Sequence, residues 1–490
     1  MSRLPTSSLL ASGLLLLGAI PSASAQEVCA SGIQGHRAFL HDTARGLRKV
    51  PVDLSAVPID AWVQGADGQF TLYPGQGFAD GTFSVPGVPE GATYTLRVGD
   101  ELPWFTGTER RLDLSEFRLG RVDQAMPVES TPLVFDVDGL HPWQSGDLLQ
   151  LISANAGMVV IDAHDWLSPG TPVDGDTRLS SATFELAWSS ENRLVDAAHG
   201  DTAMLTHLSR PTAAPYRALT QVFTPAPFTT VEGQSTFLSG QFTDVPQTES
   251  LTYTFHDADF AVARADLHPD AEPTPGRAPS LVVSAMPTGY AHGFFSSIPD
   301  LLDTDLQEGT PSEPLRYGNP FPAAWRPVAT VVYPLSVNYA LDGTRPTRQS
   351  GSLVHTDVLR RVVGRPLAPI LTPVRDMRVE GAPGTLNRVL QSLTPEVSWS
   401  APAVGVPSGY EVWVRELYVL GTRTVAGIPL RLRTAQSRVT LPPGALESGR
   451  SYYLTVRALR QGSVDLARQP LRTDFPTASA SAFSGILRAP

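Results

Sequence analysis

Apolar residues in this chain recur at every second position in short runs closed by Gly, Pro, Asn or Asp, and no long segment shows them at helical spacing. A period of two sends alternate side chains to opposite faces of a strand, so the pattern predicts many short strands packed face to face. The turns are well supplied, with 41 Gly and 44 Pro. At 42% apolar and 17% charged the chain reads as globular, and 490 residues correspond to roughly three domains of about 150 residues. The predicted class is all-β and multidomain: tandem β-sandwich modules with a larger central β-rich domain.

The first residues place a charge at Arg3, an apolar run through Leu14, Leu15, Leu16 and Leu17, and then Ala23-Ser24-Ala25. Those are the three regions of a secretory signal peptide, which predicts cleavage after Ala25 and no membrane span in the mature chain. The apolar run is shorter than the ~20 residues a spanning helix needs. Gln26-Glu27-Val28 are not the small and apolar residues that precede a lipidated cysteine, so Cys29 is not read as an anchor. The expected location is the periplasm, the outer-membrane surface or the extracellular space.

Cys29 is the only cysteine, which excludes an internal disulfide and cysteine-rich zinc or redox sites. Lys49 is the only lysine and lacks a Gly-rich loop, which excludes a Walker-type phosphate cradle. A net charge of -11 removes the general electrostatic footprint of a nucleic-acid binder.

In the first region Ile59, Ala61 and Val63 alternate, followed by Phe70 and Leu72, Phe83 and Val85, and then Tyr94, Leu96 and Val98. Each set is predicted to face a core, with Asp80-Gly81 and Pro89-Glu90-Gly91 as turns. The run from Ala79 to Leu96, with Asp80-Gly81, Phe83, Val85, Val88-Pro89, Gly91, Tyr94 and Leu96, resembles the signature of carboxypeptidase regulatory-like domains. That resemblance implies a prealbumin-like sandwich acting as an accessory module, with no catalytic residues.

The last region carries Glu396-Val397-Ser398-Trp399, then Gly409-Tyr410-Glu411-Val412-Trp413-Val414, then Tyr452-Tyr453-Leu454-Thr455-Val456-Arg457-Ala458. In order and spacing it resembles a fibronectin type III domain, which implies a binding or spacer module. The resemblance puts Trp399 on the second strand, Tyr410 at the start of the third, and Tyr452 as a corner tyrosine donating its hydroxyl to nearby backbone. Alternation places Tyr452, Leu454, Val456 and Ala458 on one face, and Trp413 opposite Tyr410. Ser448 stands where that family usually has proline, and residues 417–434 form a long connection. The predicted domains are thus a signal peptide at 1–25, a carboxypeptidase regulatory-like sandwich at 26–120, a central β-rich domain at 121–368 with room for two sub-domains, and a fibronectin type III-like domain at 369–490 that folds alone.

The central region is predicted to hold strands at 133–137, 148–153, 158–162, 183–188, 237–242, 251–255, 281–284, 329–333 and 351–355, with one helix at 259–267 capped by Asp257 and stopped by Pro269. The Pro-rich stretches 272–279 and 311–327 read as exposed loops. Trp143, Trp166 and Trp188 are almost evenly spaced, but their surroundings do not repeat.

No G-x-S-x-G elbow or H-E-x-x-H helix occurs. His256, Asp257, Asp259, Asp266, His268 and Asp270 flank the predicted helix and read as its solvated charged ends, because a metal would require the chain to fold back. Asp300, Asp303, Asp305 and Glu308 read as an acidic surface loop without EF-hand spacing. His164-Asp165 and His41-Asp42 are expected to point to opposite strand faces and form no relay. No catalytic, cofactor-binding or metal-ligating residue is assigned. Two functions remain: a non-enzymatic adhesive, scaffolding or ligand-binding protein of the bacterial surface or periplasm, taking a protein or carbohydrate ligand, or a secreted polymer-degrading enzyme whose catalytic unit is the central domain.

Overall fold

The computed structural model describes residues 32–43, 46–211, 214–287 and 298–490. The segment 1–25 predicted to be a signal peptide and Cys29 lie outside the described residues. These contain 37 strands and three α-helices of four or five residues, an all-β multidomain protein. None of the described helices is long and apolar enough to cross a membrane.

Four large apolar cores succeed one another. The first, around Ile59, Val63, Phe83, Tyr94 and Leu96, fills a sandwich between the sheet of Ile59–Gln64, Tyr94–Val98 and Trp104–Gly107 and the sheet of Gly32–His36 and Thr82–Pro86. Of the alternating sets predicted here, one is corrected. Ala61 pairs with Tyr73 and Trp62 with Leu72 across the strands, and cross-strand partners share a face. Tyr73 therefore joins the core while Leu72 is 52% exposed.

The second core, around Leu133, Phe135, Trp143, Leu149 and Phe184, lies between the sheet of Pro132–Asp138, Arg178–Glu185 and Thr236–Gln241 and one face of Leu148–Ser153, Met204–Ser209 and Tyr216–Phe223. The third takes Ile152, Leu208 and Leu219 from the other face of that same sheet and adds Leu281, Val331, Tyr333 and Leu353. A sheet covered on both faces reads as a near-continuous apolar run, and Leu148-Leu149-Gln150-Leu151-Ile152 is apolar but for the buried Gln150, whose Oε1 accepts from Asp300 N at 3.0 Å.

The fourth core is a two-sheet sandwich of immunoglobulin-like arrangement. Arg375–Val379, Glu396–Ser400 and Arg438–Thr440 form one sheet; Leu430–Thr434, Gly409–Leu420, Ser451–Gln461 and Thr477–Phe483 form the other. Trp399, Tyr410, Tyr452, Leu454, Val456 and Ala458 all enter its core. The corner hydroxyl differs from expectation in its sense: Glu447 N–H donates to Tyr452 Oη at 2.9 Å.

Hydrogen bonding also crosses between modules. Trp104–Gly107 pairs in parallel with Leu430–Thr434, and Thr477–Phe483 pairs antiparallel with Thr347–Val358. From there the ladder continues through Arg326–Tyr339, Ser280–Met286, Asp300–Asp305 and Tyr216–Phe223, giving 21 connected strands. On the outer face of the last sandwich, Tyr453 stacks on Tyr339 with ring centroids 4.4 Å apart and belongs, with Leu417 and Phe483, to the third core.

Several local expectations are corrected. The predicted helix is two helices, Asp257–Ala261 and Arg264–Leu267, with His256 at the cap position and Asp257 inside the first turn. The 183–188 strand ends at Glu185 and becomes the 3₁₀ turn Leu186–Trp188. Within the Pro-rich stretches, Glu272–Pro273 pairs with Pro273 opposite Leu335, and Leu315–Tyr317 pairs with Glu249–Leu251. Leu315, Tyr317 and Phe321 are buried, because apolar side chains between the prolines drive those segments onto the third core.

Candidate functional site

Two turns that leave the second core bring Trp166 and Trp188 together. Trp166 closes the 3₁₀ turn Ala163–Trp166, whose Ala163 is buried, and Trp188 closes Leu186–Trp188, whose Leu186 is buried. Each turn is anchored by one inward apolar side chain and carries its indole outward. The rings are 51% and 54% exposed and meet edge to face, centroids 6.3 Å apart at 61°. They flank a surface cleft of about 320 Å³ with a wall of Val159, Val160 and Ile161.

Polar groups complete the lining. Glu185 accepts from Ser130 Oγ at 2.6 Å, from Thr131 N at 2.7 Å and from Ala187 N at 2.9 Å. Burial pushes its pKa up, but the hydrogen bonds from Ser130, Ala187 and Thr131 prevail and hold it below the ordinary carboxylate value. Glu185 is thus an ionised structural brace. Asp162 and Glu191 are exposed on the rim, and Asn192 spends its amide on Leu186 O at 3.0 Å. An indole pair with carboxylate acceptors beside it can stack on an apolar face and receive hydroxyl hydrogen bonds.

The sequence-selected clusters are placed differently. The two acidic groups meet at Glu308, whose Oε1 lies 2.7 Å from His256 Nδ1 and whose Oε2 accepts from Asp257 N at 2.9 Å. Asp257 accepts from Tyr333 Oη at 2.9 Å, and His268 is buried with its Nδ1 accepting from Asp270 N at 3.0 Å. Asp300, Asp303 and Asp305 lie on a strand, Asp300–Asp305, and not in a loop. Asp303 pairs with Arg217, while Ser284 Oγ donates to Asp300 Oδ1 at 2.7 Å. Among the described residues, no three His, Cys, Asp or Glu side chains are grouped so as to hold a metal ion.

His164-Asp165 is also corrected. Both residues lie in a 3₁₀ turn rather than a strand, and His164 Nε2 is 3.3 Å from Asp165 Oδ1. His41 is buried with Nδ1 2.9 Å from Gly120 O, and Asp42 faces solvent. Sequence reading missed a buried polar chain in the second core: His207 Nε2 lies 3.1 Å from Asp147 Oδ2, His207 Nδ1 lies 3.3 Å from Gln221 Oε1, and Trp143 stacks on the imidazole with centroids 5.5 Å apart. Both His207 and Asp147 are buried, which makes the pair a satisfied core element and not an accessible acid–base dyad.

No protein-family model matches this chain, and no curated protein matches it. Among solved structures, a crystal structure of chicken CNTN1 FN1-FN3 domains aligns over 76% of this chain and 99% of that one at 11% identity and a TM-score of 0.15. A tetra-tandem repeat from the extending region of a large adhesion protein aligns over 92% of this chain and 99% of that one at 12% identity and a TM-score of 0.12. Scores this low carry no argument. The class of the protein, an all-β multidomain chain built of sandwiches, rests on its own strand pairing and cores.

Proposed function

We propose that this chain is an exported, non-enzymatic binding protein whose 1–25 segment is a cleaved signal and whose Trp166–Trp188 cleft takes a neutral carbohydrate. The observation that carries the reading is the pair of half-exposed indoles, since large aromatic rings are normally buried and a pair held outward beside carboxylates is the surface that sugar rings stack on. The exposed Asp162 and Glu191 oppose an acidic ligand. Glu185, locked by three hydrogen bonds, supports binding over catalysis, because a general acid must release and regain a proton. On this reading the segments 26–120 and 369–490 are the carboxypeptidase regulatory-like and fibronectin type III-like modules, and they support the central segment 121–368.

An array of neutral oligosaccharides tests this with the full mature chain. Trp166→Ala and Trp188→Ala should each weaken capture by at least about 2 kcal/mol, roughly thirtyfold in Kd, with the thermal midpoint little changed. Binding to no neutral glycan, or binding indifferent to both substitutions, would contradict the reading. Release of new reducing ends from a captured polymer would establish the secreted-enzyme alternative instead.

A further inference from the structure

A second cleft, of about 330 Å³, lies where the first and last sandwiches join through the parallel pairing of Trp104–Gly107 with Leu430–Thr434. Its lining carries five arginines against three glutamates and no other charged residue, a surplus of two positive charges in a chain whose net charge is -11. The register explains the concentration. Glu411 pairs directly with Arg433 on one side and Arg457 on the other, so both guanidiniums converge on one carboxylate at 3.0 Å each. Across the cleft, Arg37 and Arg118 share Glu116 at 3.7 and 3.9 Å, too long for hydrogen bonds. Arg431 donates to the carbonyl of Glu101 at 3.1 Å, which leaves its charge without a carboxylate partner in that bond.

One further group points the same way. The Arg37 side chain is only 10% exposed, and its Nε has no hydrogen-bond partner. Unsatisfied buried donors are costly, and guanidiniums in excess over carboxylates are met most cheaply by the oxygens of a bound anion. We infer that this inter-module cleft is a binding site for an oxyanion, a sulfate or phosphate group, held by Arg37, Arg118 and Arg431 and assembled only when the first and last sandwiches are joined. It is separate from the indole cleft and does not depend on what that cleft binds.

Calorimetric titration of the full chain with inorganic phosphate, inorganic sulfate and a sulfated disaccharide, at an ionic strength fixed with sodium chloride, tests the inference. One saturable site is expected for at least one inorganic ion. Tighter binding of the disaccharide would mark a sulfated sugar as the source, and tighter binding of phosphate the free ion. Arg118→Gln and Arg431→Gln should each weaken binding at least tenfold. Glu116→Gln, which removes an acceptor and keeps every arginine, should tighten it, and this arm holds even if an arginine variant folds poorly. Absence of a saturable heat, or affinities unchanged in all three variants, would overturn the inference.

Discussion

At the scale of single residues, two buried carboxyl groups show how their neighbours set the charge state. Glu411 is held down to a pKa of about 2 because, although burial pushes it upward, Arg433, Arg457 and the Trp413 indole outweigh that penalty. Asp300 goes the other way: desolvation, reinforced by Asp303 and Asp162, raises it to about 7. The folded state therefore keeps a proton that the unfolded chain releases near the ordinary aspartate value of 3.8. The stabilisation from that proton is complete below about 3.8 and is lost as pH rises through about 7. Asp300→Asn should leave stability at pH ~4 nearly unchanged and raise it at pH ~8, by at most about 4 kcal/mol. Thermal midpoints of both proteins at the two pH values check this; an equal effect at both would contradict it. None of these environments was legible in the sequence. Alternation places Trp413 on the face opposite Tyr410, but it reports which face a residue is on and not what covers that face.

At the scale of elements, the inward sets were largely legible wherever a strand has neighbours on both sides. Ile59, Ala61 and Val63, and the set from Tyr452 to Ala458, face their cores as their spacing predicts. The reading slipped on Phe70–Pro74, where Leu72 is turned outward by its pairing with Trp62, and apolar content at an exposed position is a poor guide to register. It missed the two outward indoles altogether, although polar neighbours on both, Asp165 before Trp166 and Ser189 after Trp188, were a usable signal. The two tryptophans of the last sandwich separate the effects of face and partner. Trp399 is buried against Tyr410, centroids 5.1 Å apart, so Trp399→Ala should cost ~3 to 5 kcal/mol. Trp413 is half-buried and donates its Nε1–H to Glu411 at 2.8 Å, so Trp413→Phe should cost about 1 to 2 kcal/mol, the loss of one bond to a buried charge. Urea unfolding of both variants measures the difference, and equal losses would show that the face assignment is wrong.

At the scale of the whole molecule, the sandwiches are not beads on a string. Tandem β modules were legible from turn spacing, whereas the sharing of sheets between successive cores was not, since it depends on pairings such as Leu353 with Ala480 that lie far apart in sequence. The strand Ser451–Gln461 gives Tyr452 and Leu454 to the fourth core and Tyr453 to the third, where its hydroxyl donates to Gln349 Oε1 at 2.6 Å. Cutting the chain near residue 368 would bare Tyr453, Phe483 and Leu417, so the segment 369–490 alone is expected to be less stable than the same strands in the full chain. The most direct test is amide hydrogen exchange by mass spectrometry on the full chain carrying Tyr453→Ala. Shared sheets predict that Thr347–Val358 and Ser451–Gln461 lose protection together, by a common factor. Protection lost in Ser451–Gln461 alone, with Thr347–Val358 exchanging as in the unaltered protein, would contradict the account.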